Sequence, residues 1–119
     1  MEVGPAAPRR GEIWRTFNPG QVQDPHQPRP GLIVSSDLQN DMSRNVIIVP
    51  IYTRGAIDPR HVPIRQGMGG IPHDSILFCE EVSSLDRSLV VDGPYGRPVP
   101  EVLLDEVIIG VRRAIGDVV

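Results

Sequence analysis

The dipeptide Arg29-Pro30 is where this chain offers chemistry most directly. Proline disfavours the helical region for the residue before it, so Arg29 is held in an extended conformation. A guanidinium fixed in that way, charged at every working pH, suits bidentate contact with phosphate oxygens. Taken alone, Arg-Pro is a common dipeptide and a surface arginine is the default reading. The remaining reactive side chains form no catalytic motif. There is no Walker loop, no zinc-ligand cysteine pair, no His-Glu-x-x-His and no Gly-x-Ser-x-Gly. His26, His61 and His73 lie near Asp24, Asp58 and Asp74, but their spacing fits no metal signature. Each imidazole falls in or beside a loop, so neither a metal site nor a cofactor is expected. Cys79 falls inside an expected strand and reads as a small core residue rather than a nucleophile. Glu80 and Glu81 would point to opposite faces of that strand, which rules out a proton-sharing dyad.

The elements that must position Arg29 are short. Twelve glycines and thirteen prolines, spread along 119 residues, break the chain into strands and turns rather than long helices. Residues 1–10 read as a loose, proline-rich tail ahead of a single domain over 11–119. A strand with Ile13, Arg15 and Phe17 alternating against Glu12, Trp14 and Thr16 turns at Asn18-Pro19-Gly20. A polar loop from Gln21 to Pro28 follows. Strands are expected at Leu32–Val34 and Val46–Tyr52, separated by a polar turn from Asp37 to Arg44. The second of these is apolar at nearly every position, so it should be central and covered on both faces. Further strands are expected at His61–Ile64 and Ser75–Val82.

Only the C-terminal end has a helical period, with Leu104, Val107, Ile108, Val111 and Ile115 on one stripe. Pro98 and Pro100 precede it, Glu101 and Asp105 suit its N-terminal end, and Arg112 and Arg113 its C-terminal end. Gly116 is placed to stop it. Five or so strands with one terminal helix make a mainly β domain, a small and partly open barrel.

Charge and composition narrow the partners. The formal net charge of -3 argues against a surface coated for duplex DNA. Residues 1–65 hold eight arginines against six acids, whereas residues 66–119 hold four against nine. Nucleic acid, if it binds, should touch the first half. A single cysteine excludes an intrachain disulfide framework. The longest apolar run, Val46 to Val49, is far short of the ~20 residues of a membrane helix. Residues 1–8 lack the pattern of a secretory signal, so a cytoplasmic protein is expected.

Several segments, in register, carry a resemblance. They are Arg10-Gly11-Glu12-Ile13-Trp14 with Phe17-Asn18-Pro19, and Arg29-Pro30-Gly31-Leu32-Ile33-Val34-Ser35-Ser36-Asp37-Leu38 with Asn40. Val46 to Thr53, His61-Val62-Pro63-Ile64, Asp74-Ser75-Ile76-Leu77 and Val82-Ser83-Ser84-Leu85-Asp86-Arg87 continue it. Together with the helix from Val99 to Ile115, they resemble the MazF/PemK/Kid family of toxin endoribonucleases over roughly residues 10–116.

The resemblance implies an SH3-like small barrel of the CcdB/PemK type with a C-terminal α-helix, paired as a homodimer. It implies the toxin of a type II toxin-antitoxin system, cutting single-stranded RNA sequence-specifically without a metal. In that chemistry the ribose 2′-OH attacks the adjacent phosphate, leaving a 2′,3′-cyclic phosphate and a 5′-OH. The family's essential arginine falls on Arg29. Its second catalytic group is a hydroxyl at the end of the strand matched here by Val46 to Thr53. This chain reads Pro50-Ile51-Tyr52-Thr53 there, so either Thr53 or Tyr52 fills the role. Tyr52 could equally bind a base or pack at the barrel rim.

The family's Gly-Ser-Glu-Gln loop is replaced by Gln21-Val22-Gln23-Asp24, which implies different bases or a different antitoxin. His26 in that loop is a candidate for RNA contact and proton transfer. Phe17, Asn18, Glu81 and Ser83 flank the site by the same resemblance and are candidates for binding RNA. With five aromatic residues in all, stacking capacity for bases is limited. The implied partner is a cognate antitoxin with an acidic, disordered segment. Two other readings share the barrel: a gyrase-poisoning toxin of the CcdB type, and an RNA or antitoxin binder without turnover. CcdB-type toxins end in a tryptophan-bearing helix, whereas residues 99–115 contain no aromatic residue.

Overall fold

The apolar run at the middle of the chain becomes the centre of the sheet. In the computed structural model, which describes residues 6–117, it is the long strand β3, Asn45–Tyr52. On one side β3 pairs with β2, Arg29–Ile33, from Gly31↔Pro50 to Ile33↔Ile48. Its other side is shared. The first half pairs with β6, Ser83–Asp86, and the end pairs with β5, Ser75–Phe78. With β1 (Ile13–Thr16), β4 (His61–Ile64) and β7 (Val90–Asp92), the antiparallel order is β4-β5-β3-β2-β1-β7.

Alternation along β2 and β3 divides the core in two. Leu32, Val49 and Ile51 pack with Ile13, Leu77 and the C-terminal helix, whereas Ile33, Val46, Ile48 and Leu85 form a second cluster. The expected mainly β architecture with a C-terminal helix is therefore what the chain adopts.

That helix, α2, spans Glu101–Ala114 and buries Leu103, Leu104, Val107 and Gly110. Ile115, read as part of the apolar stripe, lies past the last turn and is 70% exposed. Gly116 takes a φ of 81° and donates its N–H to the Arg113 carbonyl, a left-handed stop that glycine adopts without strain. Gly110 allows α2 to lie directly on Cys79. A Cβ built at Gly110 would stand 2.6 Å from the Cys79 Sγ. The thiol itself is fully buried, and burial pushes its pKa up to about 12, as befits a core residue. Gly110→Ala is expected to lower the melting midpoint by a few degrees. The overpacking cost of ~1–3 kcal/mol outweighs the ~1 kcal/mol that alanine gains over glycine in a helix. A thermal melt that rises instead would contradict this packing.

Four differences from the sequence reading have physical causes. The expected turn over 37–44 contains a short helix, α1, Asp37–Met42. Ser36 caps it by accepting from the Gln39 N–H, and the fully buried Asn40 ties it down through Ser35. Second, the strand expected over 75–82 ends at Phe78, and Cys79–Glu81 is a single 3-10 turn. Glu80 and Glu81 do diverge, but because of that turn rather than strand alternation. Third, β6 and β7 were not foreseen, and β1 departs from simple alternation because its pairing with β7 shifts between Arg15 and Thr16. Fourth, positions 1–5 of the expected tail lie outside the described residues, whereas Pro8 is buried and Arg9 reaches Asp41 at 3.0 Å. Among the described residues no helix is long and apolar enough to cross a membrane.

Candidate active site

Strand register brings the arginine and the hydroxyl residues together. Continuing the β2–β3 pairing two residues past Gly31↔Pro50 sets Arg29 beside Tyr52. The Arg29 guanidinium accordingly lies over the Tyr52 ring, 4.0 Å from its centroid. This contact favours a desolvated cation on an aromatic face. Arg29 Nη1 also points to the Ile51 carbonyl at 3.4 Å.

The remaining face of the guanidinium is occupied by its own chain. Arg29 Nε and Nη2 each donate to a different oxygen of Asp24, both at 2.7 Å. The Arg29 and Asp24 side chains are only 14% and 10% exposed, so the pair is shielded from screening. The hydrogen bonds from Arg29 hold the Asp24 carboxyl below its ordinary value, and the His26 backbone N–H adds a third at 2.9 Å. A carboxylate gripped by a planar fork is the arrangement a phosphate would adopt there.

Two hollows open at this point. A cleft of about 420 Å³ is lined by His26, Arg29, Tyr52, Thr53 and Arg54. A smaller hollow of about 90 Å³ is lined by Arg29 and Thr53 together with His73, Ser75 and their neighbours. Arg29 and Thr53 are the lining residues common to both.

The two hydroxyl candidates differ in availability. Tyr52 donates its phenol hydrogen to Glu81 Oε1, the same oxygen that takes Gln21 Nε2 at 2.7 Å. Burial, then the Glu81 carboxylate, push the phenol well above its ordinary pKa, so it stays protonated. Thr53, one residue past the end of β3, is exposed, and its hydroxyl bonds to none of the described residues.

The candidates from the resemblance form two groups, with Phe17 apart from both. His26, Arg29, Tyr52 and Thr53 meet at the cleft. Asn18, Glu81 and Ser83 instead form a scaffold behind it. Asn18 Nδ2 donates to Ser83 Oγ at 3.3 Å, and Ser83 Oγ donates to the Glu81 carbonyl at 2.9 Å. Gln21 and Gln27, which sequence reasoning had not singled out, complete this scaffold, with Gln27 Nε2 donating to the Gln21 carbonyl at 2.6 Å. Phe17 lies apart from the cleft lining, 39% exposed, with its N–H on the Leu89 carbonyl. Arg54 and His73 were also missed as site residues, and neither sits in a motif that would have marked it.

Two of the five aromatic residues, Tyr52 and Phe78, stand together at the site. Behind Arg29, Tyr52 packs on Phe78 with centroids 4.3 Å apart, and Phe78 stacks on His61 at 4.0 Å. His61 ends the stack between two acceptors, the Ala56 carbonyl and Glu80 Oε2, each at 2.8 Å. Burial works against its charge, but those two acceptors outweigh it and raise the imidazole pKa. The pair anchors the loop after β3 to the sheet. Asp24 is committed to Arg29, Asp58 to Arg60, and Asp74 accepts from the Gln66 N–H. Among the described residues no three His, Cys, Asp or Glu side chains converge on a possible metal position.

Residues 9–115 match the PemK-like, MazF-like toxins of type II toxin-antitoxin systems, and the chain belongs to that family. Over 83 residues it is 30% identical to the endoribonuclease MazF of Staphylococcus saprophyticus subsp. saprophyticus, covering 67% of this chain and 69% of that one. The fold is similar to the crystal structure of MazF from Deinococcus radiodurans, with a TM-score of 0.77 and 21% identity over 92% of this chain and 97% of that one. It is also similar to a mycobacterial endoribonuclease in complex with its cognate antitoxin, with a TM-score of 0.74 and 19% identity over 92% and 96%. The family read from the sequence is borne out.

Proposed function

We propose that this chain is a toxin that cleaves single-stranded RNA at a short recurring sequence, arresting translation and growth. One observation carries the reading: the Arg29 fork, at a cleft it shares with Thr53, already grips an oxyanion in phosphate-like geometry. The nucleophile is the substrate's own 2′-OH, and a fixed guanidinium supplies charge stabilisation, so the reaction is proposed to need no metal. Attack gives a 2′,3′-cyclic phosphate and a 5′-OH. Arg29 stabilises the phosphorane, Thr53 donates a hydrogen bond to a non-bridging oxygen, and Arg54 and His26 line the path of the strand. The protein works in the cytoplasm as a homodimer. Its cognate antitoxin presents an acidic disordered segment, because a carboxylate is chemically suited to take the place Asp24 holds against Arg29.

Inducing the chain in a bacterial host should stop growth and shorten mRNA, while the Arg29→Ala chain at equal soluble level should do neither. Unimpaired growth and intact mRNA under the unaltered chain would contradict the reading.

The Asp24 contact gives a second expected result. A phosphate must displace this carboxylate, so Asp24→Asn should tighten binding of a cleavage-blocked, 2′-deoxy-substituted strand. About tenfold is expected, a fraction of the ~4 kcal/mol between unit charges 4 Å apart near a protein surface. Unchanged or weaker binding by fluorescence anisotropy would show that Asp24 does not compete with the substrate.

A further inference from the structure

We infer that His26 and His73 are the two proton-transfer groups of the reaction, one in each hollow beside Arg29 and Thr53. The inference rests on the ribonuclease reading above. In-line attack places the entering O2′ and the leaving O5′ on opposite sides of phosphorus, so a base and an acid must approach from two directions. Efficient groups titrate near the working pH, which neither a guanidinium nor an aliphatic hydroxyl does. Tyr52 is held protonated and bonded to Glu81, and Asp24 is tied to Arg29. Imidazole is the side chain whose ordinary titration falls between about pH 5 and 8.

Each of the two hollows that share Arg29 and Thr53 has one imidazole in its lining. The 420 Å³ cleft contains His26 and the 90 Å³ hollow contains His73. Both residues are exposed, and neither ring is engaged in a hydrogen bond with any of the described residues. Their backbones, by contrast, are fixed: the His26 N–H donates to Asp24 Oδ1 at 2.9 Å, and the His73 carbonyl accepts from Ser75 Oγ at 2.7 Å. The charged groups around His26 are Asp24, Arg29 and Arg54. Those around His73 are Arg29, which lines the same hollow, and the adjoining Asp74, whose carboxylate faces the Gln66 N–H. One imidazole takes the 2′-OH proton as the O2′–P bond forms. The other, as imidazolium, gives its proton to O5′ as the P–O5′ bond breaks. Arg29 and Thr53 hold the charge on the non-bridging oxygens meanwhile.

The test is single-turnover cleavage of an oligonucleotide containing the mapped site, from pH 5 to 9, beside an otherwise identical strand with a 5′-bridging sulfur. A thiolate leaves without a proton, so the sulfur strand dispenses with the acid. The unaltered chain should give a bell-shaped profile. His26→Ala and His73→Ala should each slow cleavage by at least ~10²-fold and each flatten one limb. Their melting midpoints should not move, because the fixed contacts of both residues are made by backbone atoms. The sulfur strand should restore one variant and not the other, naming the acid. A His73→Ala chain with unaltered rate and profile overturns the inference, as does restoration of both variants or of neither. If cleavage is lost in Arg29→Ala but unmoved in both histidine variants, only this inference falls. An inactive unaltered chain overturns the ribonuclease reading and the inference with it.

Discussion

Arg29→Ala is expected to slow RNA cleavage by ~10³-fold or more, within the range for an arginine that stabilises a phosphoryl-transfer transition state. The argument is geometric. Arg29 stands at the start of β2 and lines the cleft, its fork held by Asp24 and its plane supported by the Tyr52 ring at 4.0 Å. Removing it strips the site of its fixed positive charge while leaving β2 paired to both neighbours. Asp24 would then lose two of its three hydrogen bonds, and the space left by the guanidinium would admit water to its carboxylate. The fold should therefore survive, and the melting midpoint should show it. Arg29→Lys should not restore the rate, since an ammonium offers neither the bidentate fork nor the flat face that packs on Tyr52. Single-turnover rates for the three chains check this. Retained cleavage by a folded Arg29→Ala protein would remove Arg29 from the mechanism.

The second large effect separates the two hydroxyls. Thr53→Ala is expected to lower the rate by ~10²-fold, the usual cost of losing one donor to a developing oxyanion. Tyr52→Phe should cost less than tenfold in rate and instead loosen the scaffold. It keeps the ring under Arg29 and against Phe78 but deprives Glu81 of its phenol donor. Because Tyr52 stays protonated across the working range, its loss should leave the shape of the pH–rate profile unchanged. Rates and pH profiles of both variants decide the matter, and a larger loss in Tyr52→Phe than in Thr53→Ala would reverse the assignment.

What the sequence made legible follows from how far each feature depends on tertiary contact. β3 declared itself because an uninterrupted apolar run has only one stable place, between two covered faces. The stripe of α2 was equally plain. α1 was not, because Leu38 and Met42 point outward at 73% and 79% exposure and the helix is held by Asn40. No apolar period announces such an element. β6 buries only Leu85, so its existence rests on pairing with β3 rather than on its own residues.

At the site, Arg29 was visible through Pro30, whereas Tyr52, which ends β3, and Thr53, which follows it, were marked only by the resemblance. Both line the cleft, and what distinguishes them, the Tyr52 hydrogen bond to Glu81, depends on the turn after β5 and not on spacing. The Asp24 contact was hidden because it depends on the shape of a loop, not on spacing. His73 was hidden likewise, arriving at Arg29 from the connection between β4 and β5.

The most direct measurement is the end chemistry of RNA cut by the purified protein. A long, defined single strand incubated in EDTA with the unaltered chain, and separately with Arg29→Ala, would be mapped by primer extension and its ends typed by mass spectrometry. Cuts at one recurring short sequence, bearing 2′,3′-cyclic phosphate and 5′-OH ends and lacking with Arg29→Ala, are the expected result. Intact RNA with the folded, unaltered chain, or equal cutting by Arg29→Ala, would contradict it.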